Sequence, residues 1–301
     1  MPPKERIVNT GIKQPTISLA PLHYPWTGEQ ISQFYHDAAQ NPLISRVYLG
    51  EIVCAKRRPL IQKYLTTIIE ELQTANKEIV ISTPVLHNDN DSHQLMLDNI
   101  ALAQHHQLTV EINDLAGLSH LSGQKFIVGP YINTYNRDTL GVFQRRGAQL
   151  LCPPFECNQT VIRDLAQGNL PLEITIFGKI PLSISSRCFI AHHQQLLRDE
   201  CKLACIKENQ ELIAASNNTD LFTINGMQVQ SAKIYNLINQ LPELMAMGIS
   251  NFRVMPTTGY SLTKISELIA AGLSGQKLFN LDNSQFINGF YHNCEGYKYV
   301  Q

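Results

Sequence analysis

The 301-residue sequence has no apolar run approaching the ~18 residues a membrane helix needs; stretches such as 79–81 and 126–128 fall far short. Its first residues, MPPKERIVNTG, lack the apolar core of a secretory signal and match no structural pattern. Residues 1–14 therefore read as a disordered extension of a cytoplasmic protein without a transmembrane segment. Net charge is nearly absent: Lys and Arg total 24 against 25 Asp and Glu, a formal charge of −1. No bulk basic field exists to hold a nucleic-acid backbone, so no nucleic-acid partner is expected. No Gly-x-Ser-x-Gly elbow and no His-Glu-x-x-His pair occurs, which leaves serine-hydrolase and zinc-peptidase chemistry without support. Internal repeats, low-complexity tracts and Gly/Ser linkers are also missing. What the chain has in quantity is apolar residues, 44% of the total, enough to bury a core and exclude global disorder.

Short runs rich in Val, Ile and Leu recur at 17–22, 46–49, 78–82, 109–112, 125–128, 149–152, 173–177 and 252–255, as strands buried on both faces should. Helical stretches lie between them, at 28–40, 64–75, 92–106, 139–146, 161–167 and 231–247. The clearest carries Leu65, Ile68, Ile69 and Leu72 at i, i+3, i+4 and i+7. Repeated strand–helix alternation with eight candidate strands predicts an α/β fold, a (β/α)8-like barrel, with a doubly wound sheet as competitor. The alternation breaks after the seventh strand. Residues 15–301 thus read as one barrel-like domain carrying a cysteine-rich insertion at about 183–222. The late stripe of Ile234, Leu237, Ile238 and Leu241 offers either barrel packing or a partner surface.

Seven cysteines, an odd number in a chain with no secretory signal, argue against a disulfide framework. Three cluster as Cys188-x12-Cys201-x3-Cys205, a density expected of metal ligands. Cys201 and Cys205 would share one face of a helix. Cys54 follows a predicted strand, at the barrel end where function concentrates, and is the preferred fourth ligand. Cys152, Cys157 and Cys294 are rivals, Cys152 reading more naturally as a small buried hydrophobe. Zinc and an iron–sulfur cluster fit this spacing equally, and His192 or His193 could complete a Cys3His zinc site. Lys56, Arg57 and Arg58 after Cys54, and Arg187 before Cys188, could stabilise an anionic cluster or hold an anionic substrate. Glu111, Asp114, Asn133, Glu156 and Asn225 lie near predicted strand ends. Helix caps and turns account for such residues as readily as a pocket does, Asp114 and Asn136 most of all.

The segments FGKIPLSISSRCFIAHH at 177–193 and DECKLACIK at 199–207, with VYLGEIVCAKRR at 47–58, resemble the collagenase-like peptidase (U32) family. Weaker matches run through STPVL (82–86), EINDL (111–115), INTYN (132–136), INGMQ (224–228), FRVMPTTG (252–259) and NCEGY (293–297). The resemblance implies a [4Fe–4S] cluster on Cys54, Cys188, Cys201 and Cys205. It implies an iron–sulfur subunit of an oxygen-independent hydroxylase acting on ubiquinone precursors. That subunit would form a heterodimer with a second family member, UbiU, and work with the lipid-binding accessory protein UbiT. Relatives that hydroxylate RNA bases imply prephenate as oxygen donor, and leave RNA-base hydroxylation as the alternative activity. A zinc-stapled scaffold is the non-catalytic alternative. Relatives with peptidase or RNA-hydroxylase assignments tend to carry His-Gly where this chain has Phe177-Gly178, which weighs against a self-contained activity of either kind.

Overall fold

The computed structural model describes residues 14–121, 123–197, 200–207, 212–278 and 283–301. The expected disordered extension thus lies, save for its last residue, outside the described residues. So do 198–199 and 208–211 of the expected insertion.

Seven parallel strands come first: β1 (Thr16–Leu19), β2 (Ile44–Leu49), β3 (Glu78–Ser82), β4 (Thr109–Ile112), β5 (Phe126–Val128), β6 (Ala148–Leu151) and β7 (Glu173–Gly178). Beyond β7 come β8 (Pro181–Ile184), β9 (Leu212–Ser216), β10 (Thr219–Asn225), β11 (Gln228–Ser231), β12 (Ile234–Asn236), β13 (Asn251–Val254) and β14 (Phe286–Ile287). The main sheet runs β14-β12-β7-β13-β1-β2-β3-β4-β5-β6, parallel from β7 through to β6. It curls like a half-barrel. The right-handed twist of the strands brings β6 back towards β7, where Leu151 makes a parallel bridge to Leu172 and donates its N–H to Pro171 O at 3.0 Å. The eight strands expected from sequence are these parallel ones, with ends displaced by up to three residues.

Helices pack outside, and several start where a short polar side chain can take an orphan N–H. Thr27 and Gln30 form a capping box on α1 (Gly28–Gln40). Asp89 and Ser92 cap α4 (Asn90–His105) in the same way, after α2 (Arg58–Gln62) and α3 (Leu65–Thr74). Asn136 caps α5 (Arg137–Arg145) and Asn158 caps α6 (Gln159–Ala166). On α3 the stripe expected from sequence buries Ile68, Ile69 and Leu72. Burying each such side chain contributes roughly 1.5–3 kcal/mol.

One expected helix is not formed. Residues 231–247 fold instead as the end of β11, then β12, a 3-10 turn at Ile238–Gln240 and a short helix. The order continues from α7 (Phe189–His193) and α8 (Ala204–Lys207) to this helix, α9 (Leu241–Ala246), and then to α10 (Leu262–Leu273). Pro242 starts α9 rather than lying within a longer helix, as its missing N–H requires. Ile234, Leu237, Ile238 and Leu241 are buried in the core, so this stripe is packing and not a partner surface.

The space inside the curl is partly polar. Arg253 is 1% exposed and lies 2.7 Å from Glu111 and 2.5 Å from Glu173, with its guanidinium 4.0 Å from the Tyr48 ring centroid. Between β7 and β13, a separate antiparallel sheet ordered β8-β11-β10-β9 lies beyond the C-terminal ends of the parallel strands.

Candidate metal centre

The site grows from the end of β2. Gly50 there has φ +142°, and a Cβ at this position would stand 2.5 Å from Ser82 O, so glycine alone lets the strand leave the sheet at this angle. The chain turns at once around Glu51, whose buried carboxylate Oε1 accepts from Val53 N–H (2.9 Å), Cys54 N–H (2.9 Å) and Arg57 Nη2 (2.7 Å). Three donors on one oxygen fix the loop that presents Cys54. Arg57 is 3% exposed and also donates from Nη1 to His23 O at 3.3 Å.

Cys188 is held by the hairpin of β10 and β11. Ser185 N–H donates to Met227 O (2.9 Å) and Phe189 N–H to Gly226 O (2.8 Å), latching the segment on the hairpin turn. Cys188 caps α7, its sulfur accepting Ala191 N–H at 3.5 Å. Met227 packs on Ile52 and Val53 from the loop after β2, with Cys54, Cys188, Ile184 and Tyr131 against them. That apolar contact brings the two cysteine-bearing segments together.

Cys201 and Cys205 arrive differently from the expectation. Lys202 and Leu203 take positive φ of 44° and 56°, and α8 begins only at Ala204, so the two cysteines do not share a helix face. The left-handed pair reverses the chain, and Ala204 N–H donates to Cys201 O at 2.8 Å. Both thiols still reach one pocket, lined by Cys54, Cys188, Cys201 and Cys205 together with Arg57 and Met227. All four cysteines are half-buried. Burial pushes the Cys54 thiol up, while the Arg57 cation pulls it down. Burial pushes Cys205 up to about 11; Arg57 opposes this and the other three thiols add to it. Among the described residues, no three His, Cys, Asp or Glu side chains come close enough together to hold a single metal ion.

The rival cysteines lie elsewhere. Cys152 is fully buried within the curl, 3.9 Å from Thr175 Oγ1, and burial pushes its thiol up to about 12. Cys157 is buried, and Cys294 is exposed, its thiol donating to His292 O at 3.4 Å. His192 and His193 are exposed and are not among the pocket's lining residues. Of the four cations marked in the sequence, Arg57 turns inward and Lys56 edges the pocket. Arg58 pairs with Asp98 at 2.5 Å, and Arg187 is exposed.

The other polar candidates divide by position. Asp114 and Asn136 are caps, as read from sequence. Asn133 and Glu156 both accept from the Tyr135 hydroxyl at the surface. Glu111 belongs to the buried Arg253 network. Asn225 is buried opposite Gln228. Sequence reasoning missed His23, whose Nε2 lies 2.7 Å from the Tyr131 hydroxyl, along with Gln228 and Gln230. Lone polar residues flanked by strands carried no signal that could have singled them out. Phe177 is fully buried, edge-on to Tyr260 at 5.5 Å between ring centroids.

A family model described as peptidase family U32 matches residues 27–266 of the chain. Among solved structures, the chain is similar to a Rubisco-like protein from Rhodopseudomonas palustris, at 10% identity over 90% of this chain and 67% of that one, with a TM-score of 0.42. It is similar to a glycoside hydrolase family 18 N-acetylglucosaminidase from Paenibacillus barengoltzii, at 8% identity over 86% and 100%, with a TM-score of 0.43. The YdjI aldolase from Escherichia coli K12 is a further likeness, at 10% identity over 90% and 94%, with a TM-score of 0.29.

Proposed function

Because the chain belongs to peptidase family U32 and gathers four cysteines around one pocket, we propose that it is an iron–sulfur subunit of an oxygen-independent hydroxylase, in the role of UbiV, the ubiquinone biosynthesis protein of that family. Cys54, Cys188, Cys201 and Cys205 would hold a [4Fe–4S] cluster. The observation that carries this reading is the arrival of those four half-buried thiols, from three separate segments, beside a buried guanidinium. A cubane spreads its thiolates more widely than one zinc ion does and leaves them net anionic, which suits this donor set. Such a cluster supplies electron-transfer chemistry; the chain's own residues bind it, shield it and set the charge around it.

We read the curled sheet as a (β/α)8-like barrel and the antiparallel sheet as its cysteine-rich insertion, after the seventh strand. In this reading the protein works in the cytoplasm on ubiquinone precursors, as a heterodimer with UbiU and together with UbiT, with prephenate as oxygen donor. Phe177 fills with an apolar ring the position where, by the resemblance, peptidase and RNA-hydroxylase relatives tend to carry His, so peptidase activity is not proposed and we read the subunit as incomplete alone.

Anaerobic purification with iron and sulfide counts tests the centre. About four irons and four sulfides per chain are expected. Cys54→Ala, Cys188→Ala, Cys201→Ala and Cys205→Ala should each abolish them, while Cys152→Ala and Cys157→Ala keep them. One tightly held zinc that survives air would favour the scaffold instead. Hydroxylation of a quinone precursor by the co-purified heterodimer tests the activity. Hydroxylated RNA bases with an unmodified quinone pool would favour the RNA alternative.

A further inference from the structure

This inference rests on the cluster reading above and adds one residue to it. Four cations flank the pocket in sequence, and the fold treats them differently. Arg58 is one-third exposed and engaged by Asp98, Arg187 is exposed, and Lys56 is half-buried at the edge. Arg57 alone among these four is withdrawn from water. Its Nη2 is committed to Glu51 and its Nη1 to the backbone oxygen of His23. Its Nε, also buried, has no hydrogen-bond partner among the described residues, although the side chain lines the same pocket as the four thiols. A buried arginine normally satisfies all its donors, and a donor left over marks a group still to be met.

Glu51 makes this placement rigid. The same Oε1 that grips Arg57 also takes the N–H of Cys54, so guanidinium and ligand share one anchor. A cation held in this way, shielded from solvent screening, acts strongly on charge beside it.

We propose that Arg57, clamped by Glu51, is the positioning residue that sets the reduction potential of the cluster, holding one buried positive charge and one free N–H donor against the thiolate-ligated core. Reduction adds one electron and no other atom. A fixed cation and a hydrogen-bond donor favour the more negative state, so Arg57 raises the potential. Its neighbour Arg58 carries the same formal charge and has no such role.

The full chain, reconstituted anaerobically and titrated with dithionite while the reduced cluster is followed by electron paramagnetic resonance, provides the test. Arg57→Gln should keep about four irons and shift the reduction equilibrium at least tenfold towards the oxidised cluster, which is 59 mV for one electron. Arg57→Lys, which keeps the charge but loses the fork, should fall between it and the parent. Arg58→Gln should titrate as the parent does. If Arg57→Gln folds without iron, the Arg57→Lys titration decides, and an unshifted potential there overturns the proposal. Equal shifts in Arg57→Gln and Arg58→Gln would also overturn it, since a general charge effect would then suffice. A parent chain that takes up no iron overturns the cluster reading itself, and that result is seen before any variant is made.

Discussion

Arg253 donates from Nε to Oε2 of Glu173 at 2.7 Å, with both side chains at most 1% exposed at the heart of the curled sheet. Arg253 also reaches Glu111, and Glu173 is held by Arg46 (2.9 Å) and by the Tyr48 hydroxyl (2.8 Å). Every member of this network meets an opposite charge or a hydroxyl, which is what allows ions inside a core. Arg253→Met should therefore strip the buried Glu111 of its cation, leave Glu173 with Arg46 and Tyr48 alone, and cost about 3–5 kcal/mol in urea unfolding. A loss below about 1 kcal/mol would show that the network contributes little.

Glu173 gives that network a pH dependence. Burial alone would raise its carboxyl, but Arg253, Arg46 and the Tyr48 hydroxyl together hold it below the ordinary carboxylate value of 4.5. A folded pKa below the unfolded one means that its contribution is complete above about pH 4.5 and is lost as pH falls through the lowered folded value. Acid unfolding should begin in that range. Glu173→Gln should show a shallower acid slope in urea titrations between about pH 4.5 and pH 3.

The β10–β11 hairpin inverts the usual sheet pattern. Asn225 pairs with Gln228 and Thr223 with Gln230, all four buried, while Phe222 on the other face is 42% exposed. Both side-chain amide atoms of Gln228 and of Gln230 lack hydrogen-bond partners among the described residues. Removing an unpaired buried amide while keeping volume is nearly neutral or stabilising. Gln228→Leu and Gln230→Leu should thus change stability by no more than about 1 kcal/mol. Losses beyond ~2 kcal/mol in thermal unfolding would mean that water or a ligand holds those amides.

Gly178 ends β7 with φ +115°, and a Cβ there would lie 2.4 Å from Met255 O. The strand passes too close to its neighbour for any side chain. Gly178→Ala should cost roughly 3 kcal/mol, from strain and clash together, in the same unfolding assay. Phe177→His, which places an imidazole in a dry aromatic setting against Tyr260 and Phe286, should likewise destabilise the fold in that assay.

Much of this fold was legible in the residues. Runs such as EIVIS at 78–82 and FIV at 126–128 are apolar because parallel strands are covered on both sides, and all eight runs became strands. The cysteine segments were legible because thiols are scarce and their spacing stands out. Residues 231–247 misled because Ile234 and Leu237, Ile238 and Leu241 fall at helical intervals by coincidence, while β12 hydrogen-bonds to β7 from far away in sequence. The shared helix for Cys201 and Cys205 failed because a left-handed pair at Lys202-Leu203 is not encoded by any glycine. Arg57 could be marked as a cation, but nothing local told it from Arg58. Only Glu51 and His23, brought in by the fold, set them apart.

His23 should be the residue that makes the protein sensitive to mild acid. It is 1% exposed, its Nε2 faces the Tyr131 hydroxyl, and its Nδ1 has no hydrogen-bond partner among the described residues. Burial, then the Arg57 and Arg253 cations, push its pKa from 6.5 down to about 3. Between those values the unfolded chain binds a proton that the folded chain refuses. Stability is therefore complete above about pH 6.5 and falls as pH drops towards 3, by at most ~1.4 kcal/mol per unit. The part of this window above about pH 4.5 lies clear of that of Glu173, so the two can be separated there. In His23→Gln, urea midpoints between pH 6.5 and 5 should decline less than those of the parent, His292, also held down by burial, keeping a residual slope. A parent that shows no decline over that interval would mean that His23 is free to take a proton in the folded state. Its ring would then have to leave the Tyr131 pocket, beside the very cation proposed to tune the cluster.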